Sequence, residues 1–193
     1  MGNRVAAPSM AVAASTVEID CAPSRSKVVF RGRATAIQAF GRALGMSLQG
    51  VVGRYVQQDD QRALWLGPDE WLLQSSTESG HIVQKLEAAS AGLPHAVVDV
   101  SSTYTTLRVS GEYSEFLINH GCPLDLSQKA FTVGKCTRTL LGKTGIIISR
   151  VEQRTFEIDV VRSFAAYAAR FLQEARPALI NPLTKGNLMI GSS

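Results

Sequence analysis

One pattern runs through this chain twice. In the first half, SKVVFRG (26–32) reads as a strand ending in Gly32. A helical segment follows with Ile37, Phe40 and Leu44 on one face, stopped by Gly45. A hairpin then carries Leu66-Gly67 beside its turn. In the second half, YTTLRVSG (104–111) alternates Leu107 and Val109 with polar residues and ends in Gly111. Tyr113, Phe116, Leu117 and His120 follow at helical spacing, then Gly121, then a hairpin with Leu141-Gly142. The spacings Gly45 to Gly67 and Gly121 to Gly142 differ by one residue. This repeat predicts two β-α-β-β-type halves sharing one sheet system, an α+β fold. The joint DVSSTYTT (99–106) has neither the composition nor the length of a linker, so one domain is expected over 25–176. Residues 1–24 are expected to form a flexible arm and 177–193 a tail after Pro177.

The remaining elements complete that frame. ALWLGPDEWLL (63–73) places Gly-Pro-Asp-Glu between two apolar runs, a hairpin with proline presetting the turn. Ile82, Val83 and Leu86 mark a second helix, and HAVVDV (95–100) reads as a buried strand. Residues 46–60 read as irregular. RTFEIDVV (154–161) is expected to bury Phe156, Ile158 and Val160 on one face. The last helix carries Phe164, Tyr167, Ala168, Phe171 and Leu172 on a stripe.

Hydrophobic residues make up 45% and charged residues 19%, which excludes a disordered chain. No apolar run approaches the ~20 residues of a membrane span. Net charge is +4. Its densest stretch, 129–162, holds seven Lys or Arg against three acids, without the aromatics or recognition helix of a nucleic-acid footprint. Three cysteines, Cys21, Cys122 and Cys136, form an odd set without a CxxC pair. That predicts a reducing compartment and a cytoplasmic protein. The start MGNRVA lacks Ser or Thr at position 6, so no myristoylation is expected, and Pro8 spoils a signal-peptide core.

The search for chemistry is thin. His120, Cys122 and Cys136 lack a second close pair and a fourth ligand, and His120 reads as a packed core residue. Asp69 and Glu70 are neighbours in a turn, not carboxyls converging across a cleft. Asp99-Val100-Ser101-Ser102 has no nucleophile elbow around its serines. Asp99 reads as an acceptor for the next turn, with a ligand role as the alternative. Gly50-Val-Val-Gly53 is too short to cradle phosphate. Trp65 and Trp71 flank the first hairpin turn, either as core or as anchors for a partner. Arg138, Arg150, Arg154 and Arg162 decorate second-half strands, either as a solvated face or as an interface to an acidic partner. No constellation supports catalysis by this chain alone.

Four segments carry a resemblance: LWLGPDEWLL (64–73), VDVSSTYTTLRVSGEYSEFLINHGCPLDLS (98–127), FTVGKCTRTLLGKTGIIISR (131–150) and VRSFAAYAARFLQEA (161–175). In order and spacing they resemble the gamma-subunit family of heterotetrameric sarcosine oxidase. More distantly the region is similar to the folate-binding aminomethyltransferases of glycine cleavage, through Asp99-Val100-Ser101, Val109-Ser110-Gly111 and Phe116-Leu117. That second family follows its hairpin glycine with aliphatics and an acidic pair. Here Gly145 is followed by Ile146, Ile147, Ile148, Ser149 and Arg150.

The resemblance implies a non-catalytic structural subunit with an aminomethyltransferase-like fold. The implied complex contains alpha, beta, gamma and delta subunits. It oxidises sarcosine with oxygen to glycine and hydrogen peroxide, and it passes a one-carbon unit to tetrahydrofolate. FAD, FMN, NAD, tetrahydrofolate and zinc are expected in the other subunits and none in this chain. Trp65, Trp71, Arg138 and Arg150 are the expected interface residues, and Asp99 and Ser101 the remnant of a pocket. The alternative is a free-standing small-molecule or folate-binding protein.

Overall fold

Residues 17–185 are described in a computed structural model, with side chains through Arg176. The described chain opens with β1 (Glu18–Cys21). The first half then runs β2 (Ser26–Gly32), α1 (Ala34–Leu44), β3 (Tyr55–Gln58), β4 (Gln61–Gly67), β5 (Glu70–Ser75), α2 (Ser79–Ala89) and β6 (His95–Asp99). The second half runs β7 (Tyr104–Ser110), α3 (Ser114–Asn119), β8 (Cys136–Leu141), β9 (Thr144–Glu152), β10 (Thr155–Val161), a 3-10 turn over Arg162–Phe164, and α4 (Ala165–Lys185).

Each half makes a five-stranded antiparallel sheet. The orders are β3-β4-β5-β2-β6 and β8-β9-β10-β7-β1. The second order repeats the first, with β1 standing where β6 stands. The repeat expected from the sequence is therefore real, but its glycine register is not. Gly142 opens the two-residue turn between β8 and β9, whose counterpart is the Asp59-Asp60 turn between β3 and β4. Gly142 has φ +58° and Asp59 φ +52°, the left-handed start that a tight two-residue hairpin demands. Gly67 belongs to the following hairpin.

Strand alternation sorts the side chains into layers. On β5, Trp71 and Leu73 point outward against Ile37, Phe40 and Leu44 of α1 and Ile82 and Leu86 of α2. Leu72, between them, points inward against Cys136 and Ile147 of the other sheet. Phe156, Ile158 and Val160 of β10 point outward against Leu117 and Ile118 of α3 and Ala168 and Leu172 of α4. The result is four layers: helices, sheet, sheet, helices. Each enclosed Leu or Phe contributes ~1.5–3 kcal/mol. Helix α1 shows the local logic: its apolar stripe is buried, and Gly45 at φ +71° ends it in the left-handed cap.

Several expectations change. The arm at 1–24 does not extend through β1, which pairs with β7 from Glu18↔Ser110 to Cys21↔Leu107. Four residues are too few to show a period, and the pairing partner lies far along the chain. Residues 1–16 lie outside the described residues. Residues 46–60, expected irregular, contain β3. The expected tail begins as helix, since α4 continues through Pro177 to Lys185. Residues 186–193 lie outside the described residues. Strand β6 is an edge strand with Val98 exposed, not a buried one. On α3 the buried face is Ser114, Leu117 and Ile118. Phe116 and His120 point to solvent, so His120 is no core residue. Phe164 falls in the 3-10 turn and is exposed.

Candidate functional site

The space between the two sheets is where the fold concentrates charge. On β10 both faces are buried: Glu157 and Asp159 are enclosed along with Phe156, Ile158 and Val160. Their partners come from the first half. Asp159 lies 3.6 Å from Lys27 Nζ, and accepts from Gln74 Nε2 at 2.7 Å and Thr106 Oγ1 at 2.6 Å. Arg62 pairs with Glu157 and donates to Gln74 Oε1 at 2.7 Å. The Arg62 guanidinium also sits 5.1 Å from the Tyr55 ring centre. Arg25 approaches Glu157 at 3.7 Å from the margin. Burial, the largest influence, pushes the Asp159 carboxyl up, against the pull of Lys27, Thr106 and Arg62. These groups satisfy one another across the space between the sheets.

That lattice was not among the residues singled out from the sequence. Alternation in FEIDV reads as a strand with one wet face. The available signal was Lys27 in SKVVF and Arg62 in QRALWL, single cations inside apolar strand runs.

The predicted interface residues divide. Trp71 is 1% exposed in the outer core with Phe30 and Phe40, so it cannot reach a partner. Trp65, its cross-strand neighbour, is half-buried. Arg150 is fully enclosed and equally unavailable. It donates to Leu126 O at 2.5 Å, Gln153 O at 3.1 Å and Glu115 at 2.9 Å, with its guanidinium 4.5 Å from the Phe156 ring centre. It therefore staples the 126 loop and α3 onto the second sheet. Arg138 stays at the surface and bridges the sheets through Glu70, which also faces Arg31 at 3.7 Å. Glu70 is thus an inter-sheet tie, not a free turn acid.

Asp99 and Ser101 close a turn on themselves. Asp99 accepts from Ser101 N at 2.9 Å, Ser101 Oγ at 2.5 Å and Ser79 Oγ at 2.6 Å. Those bonds, led by the Ser101 hydroxyl, hold its carboxyl below the usual range. Ser101 Oγ accepts from Lys27 N at 2.9 Å. The pair fastens the joint between halves. An open hollow of about 460 Å³ lies elsewhere, along α1 and the 45–49 loop. Cys136 is buried beneath the Trp65 carbonyl, and burial pushes its thiol up to about 12, far from a thiolate ligand. Among the described residues no three His, Cys, Asp or Glu side chains gather to hold a metal, and no helix is long and apolar enough to cross a membrane.

His95 supplies a measurable pH response. Its Nδ1 meets Leu93 O at 2.7 Å and its Nε2 meets Glu87 at 2.9 Å. The Leu93 carbonyl first, and Glu87 second, raise its pKa above 6.5. A raised value means the contact's stabilisation is fully present below 6.5 and is lost as pH rises through the folded value. The stability gap between the chain and its His95→Gln variant should shrink as pH rises from below 6.5 through the raised folded value. Urea midpoints across that range measure it, and a gap that widens with pH contradicts it.

Comparison with known proteins places the chain. The profile of the sarcosine oxidase, gamma subunit family matches residues 31–178. The chain belongs to the sarcosine oxidase gamma subunit family. The family's sarcosine oxidase subunit gamma from an Arthrobacter species is 30% identical over 145 residues, 75% of this chain and 71% of that one. Its counterpart from Corynebacterium sp. strain U-96 is 28% identical over 142 residues, 73% of this chain and 69% of that one. A chain of the heterotetrameric sarcosine oxidase from Corynebacterium sp. U-96, solved with pyrrole 2-carboxylate, superposes with a TM-score of 0.80 at 24% identity, covering 86% of each. The glycine cleavage system aminomethyltransferase T from Bartonella henselae superposes at 0.61 and 13% identity, over 82% of this chain and 45% of that one. The gamma-subunit fold is thus an aminomethyltransferase-like one, as the motifs implied. In this family member Gly145 of β9 is followed by Ile146, Ile147 and Ile148, then by Ser149 and the buried Arg150.

Proposed function

We propose that this chain is the non-catalytic gamma-type subunit of a heterotetrameric sarcosine oxidase, with alpha, beta and delta subunits as its partners. Its family membership over residues 31–178 carries this reading. The filled space between its sheets supports it, since Lys27, Arg62, Glu157 and Asp159 are spent on one another. On this reading the complex oxidises sarcosine to glycine and hydrogen peroxide and passes the one-carbon unit to tetrahydrofolate. FAD, FMN, NAD, tetrahydrofolate and zinc reside in the other subunits. The chain's contribution is architectural, a rigid block in the assembly. Cys21, Cys122 and Cys136 as free thiols fit a reducing compartment, the cytoplasm.

The test is a native pull-down of the tagged chain from its own cells. Expected are large flavoprotein partners, a yellow eluate and sarcosine-dependent peroxide, while the isolated chain is colourless and inactive. Recovery of the chain alone would sink the reading. Tetrahydrofolate should then be titrated against the isolated chain, where ligand at 100 times its Kd would add ~2.7 kcal/mol of stability. The subunit reading expects no shift.

A further inference from the structure

An open sheet leaves a row of unpaired backbone groups at each edge, and proteins blunt such edges with charge, proline, a bulge or a covering segment. Three of the four edges here are blunted. Strand β3 is bonded on its outer side to the other half, where Tyr55 N donates to Gly134 O at 2.9 Å. Strand β8 is tied the same way, with Cys136 N donating to Gly53 O at 3.0 Å, and it carries the exposed Arg138. Strand β1 shows Glu18 and Asp20 to solvent. Strand β6, His-Ala-Val-Val-Asp, is the exception. It has no proline, no register shift and no charge between its end residues. Ala96 is exposed and Val98 is 52% exposed.

The phase of the ladder decides what this edge can accept. Val100 N donates to Lys27 O at 2.8 Å, one step past the Val28–Asp99 pair. Antiparallel ladders alternate, so Ala96 and Val98 turn their backbone groups to β2, and His95, Val97 and Asp99 turn theirs outward. Those three are symmetric about Val97. A two-fold axis at Val97 sets Val97 against its own copy and His95 against Asp99, so each outward N–H meets an outward C=O. The same axis sets Ala96 against Val98, apolar against apolar, as the closely spaced non-hydrogen-bonded pair. The ends are opposite in sign: the Leu93 carbonyl and Glu87 favour a protonated His95, and the Ser101 and Ser79 hydroxyls favour an ionised Asp99. Only the axis at Val97 pairs the whole strand; an axis at Ala96 or Val98 leaves both ends without a facing strand residue.

We propose that the chain on its own forms a two-fold dimer through β6, joining the first sheets of two copies into one continuous sheet. The occupant of the edge is the β6 strand of the second copy. This goes beyond the subunit reading and does not depend on it. A two-fold contact uses the same patch on both chains and closes on itself, so it stops further strand addition. The unassembled chain is thereby kept as a closed pair instead of an open template for aggregation.

Sedimentation equilibrium of the full-length chain tests this. Wild type should be dimeric at ~100 μM and dissociate on dilution. Ala96→Lys combined with Val98→Lys sets lysine against lysine on both sides of the axis, and should weaken pairing at least about tenfold. Ala96→Lys combined with Val98→Glu sets lysine against glutamate in the same register, and should restore the dimer. Both positions are exposed, so at dilutions where every chain is monomeric the variants should share the wild-type unfolding midpoint. Leu140→Lys, exposed on β8, is the control and should sediment like wild type. A wild-type chain that stays monomeric at ~100 μM overturns the proposal. So does a dimer that the lysine pair leaves intact, and a lysine–glutamate variant that stays monomeric overturns the register at Val97. Capture of flavoprotein partners is read in a separate experiment, so failure here leaves the subunit reading standing.

Discussion

Asp159→Ala should cost about 3–5 kcal/mol, more than any surface change in this protein, because it strips a buried cation of its counter-charge. Lys27 Nζ would lose the carboxylate 3.6 Å away, and Gln74 and Thr106 would each lose an acceptor. Natural domains have only ~5–15 kcal/mol in hand, so the variant should be largely unfolded or insoluble. The companion result is more informative. Lys27→Met with Asp159→Leu removes charge and counter-charge together, and it should recover most of the loss. Burial already disfavours the Asp159 carboxylate, so the native pair adds less than its geometry suggests. Urea unfolding of the wild-type, single and double variants measures all of this. A single variant within 1 kcal/mol of wild type would mean that the lattice is not holding the sheets together.

Trp71→Ala should cost a further ~3–5 kcal/mol on its own account. The indole is sealed between the first sheet and α1, against Phe30, Phe40 and Leu73. Removing it leaves a cavity bounded by a rigid sheet on one side. The effect belongs in the unfolding midpoint of the chain itself, with no partner present. A variant with wild-type stability and impaired assembly would instead identify Trp71 as an interface anchor. Trp65→Ala should be milder, since Trp65 is half-buried and its surroundings can close over part of the gap.

The fold was legible wherever one face of an element is apolar. Helix α1, the hairpin at 63–73 and the strand at 104–110 stand where their periods put them. What failed, failed for physical reasons. Glu157 and Asp159 alternate with Phe156 and Ile158 as they would in a strand with one wet face, yet a second sheet covers that face. Whether a polar face meets water or another polar face is set by packing across the molecule, which periodicity does not encode. Arg150 misleads in the same way: an arginine at a strand end reads as solvated until the Leu126 and Gln153 carbonyls are folded over it. The doubled pattern was visible, but its register was set by the wrong glycines. The aspartate at Asp59 does the work of Gly142 at the matching turn, so matching glycine to glycine slips the alignment by a hairpin.

The placement of β1 sets an order of events during synthesis. Residues 26–99 contain every strand of the first sheet, so that sheet can close as soon as its segment has left the ribosome. Strand β1, which precedes it in the chain, pairs elsewhere. Cys21 must wait for Leu107, and the second sheet is finished only when β10 arrives and lies against β7. Once the first sheet has closed, β1 still waits unpaired ahead of it, and such non-local pairing is slow. Translation speed between β6 and β10, rather than stability of the finished protein, governs how long that strand is open to mispairing.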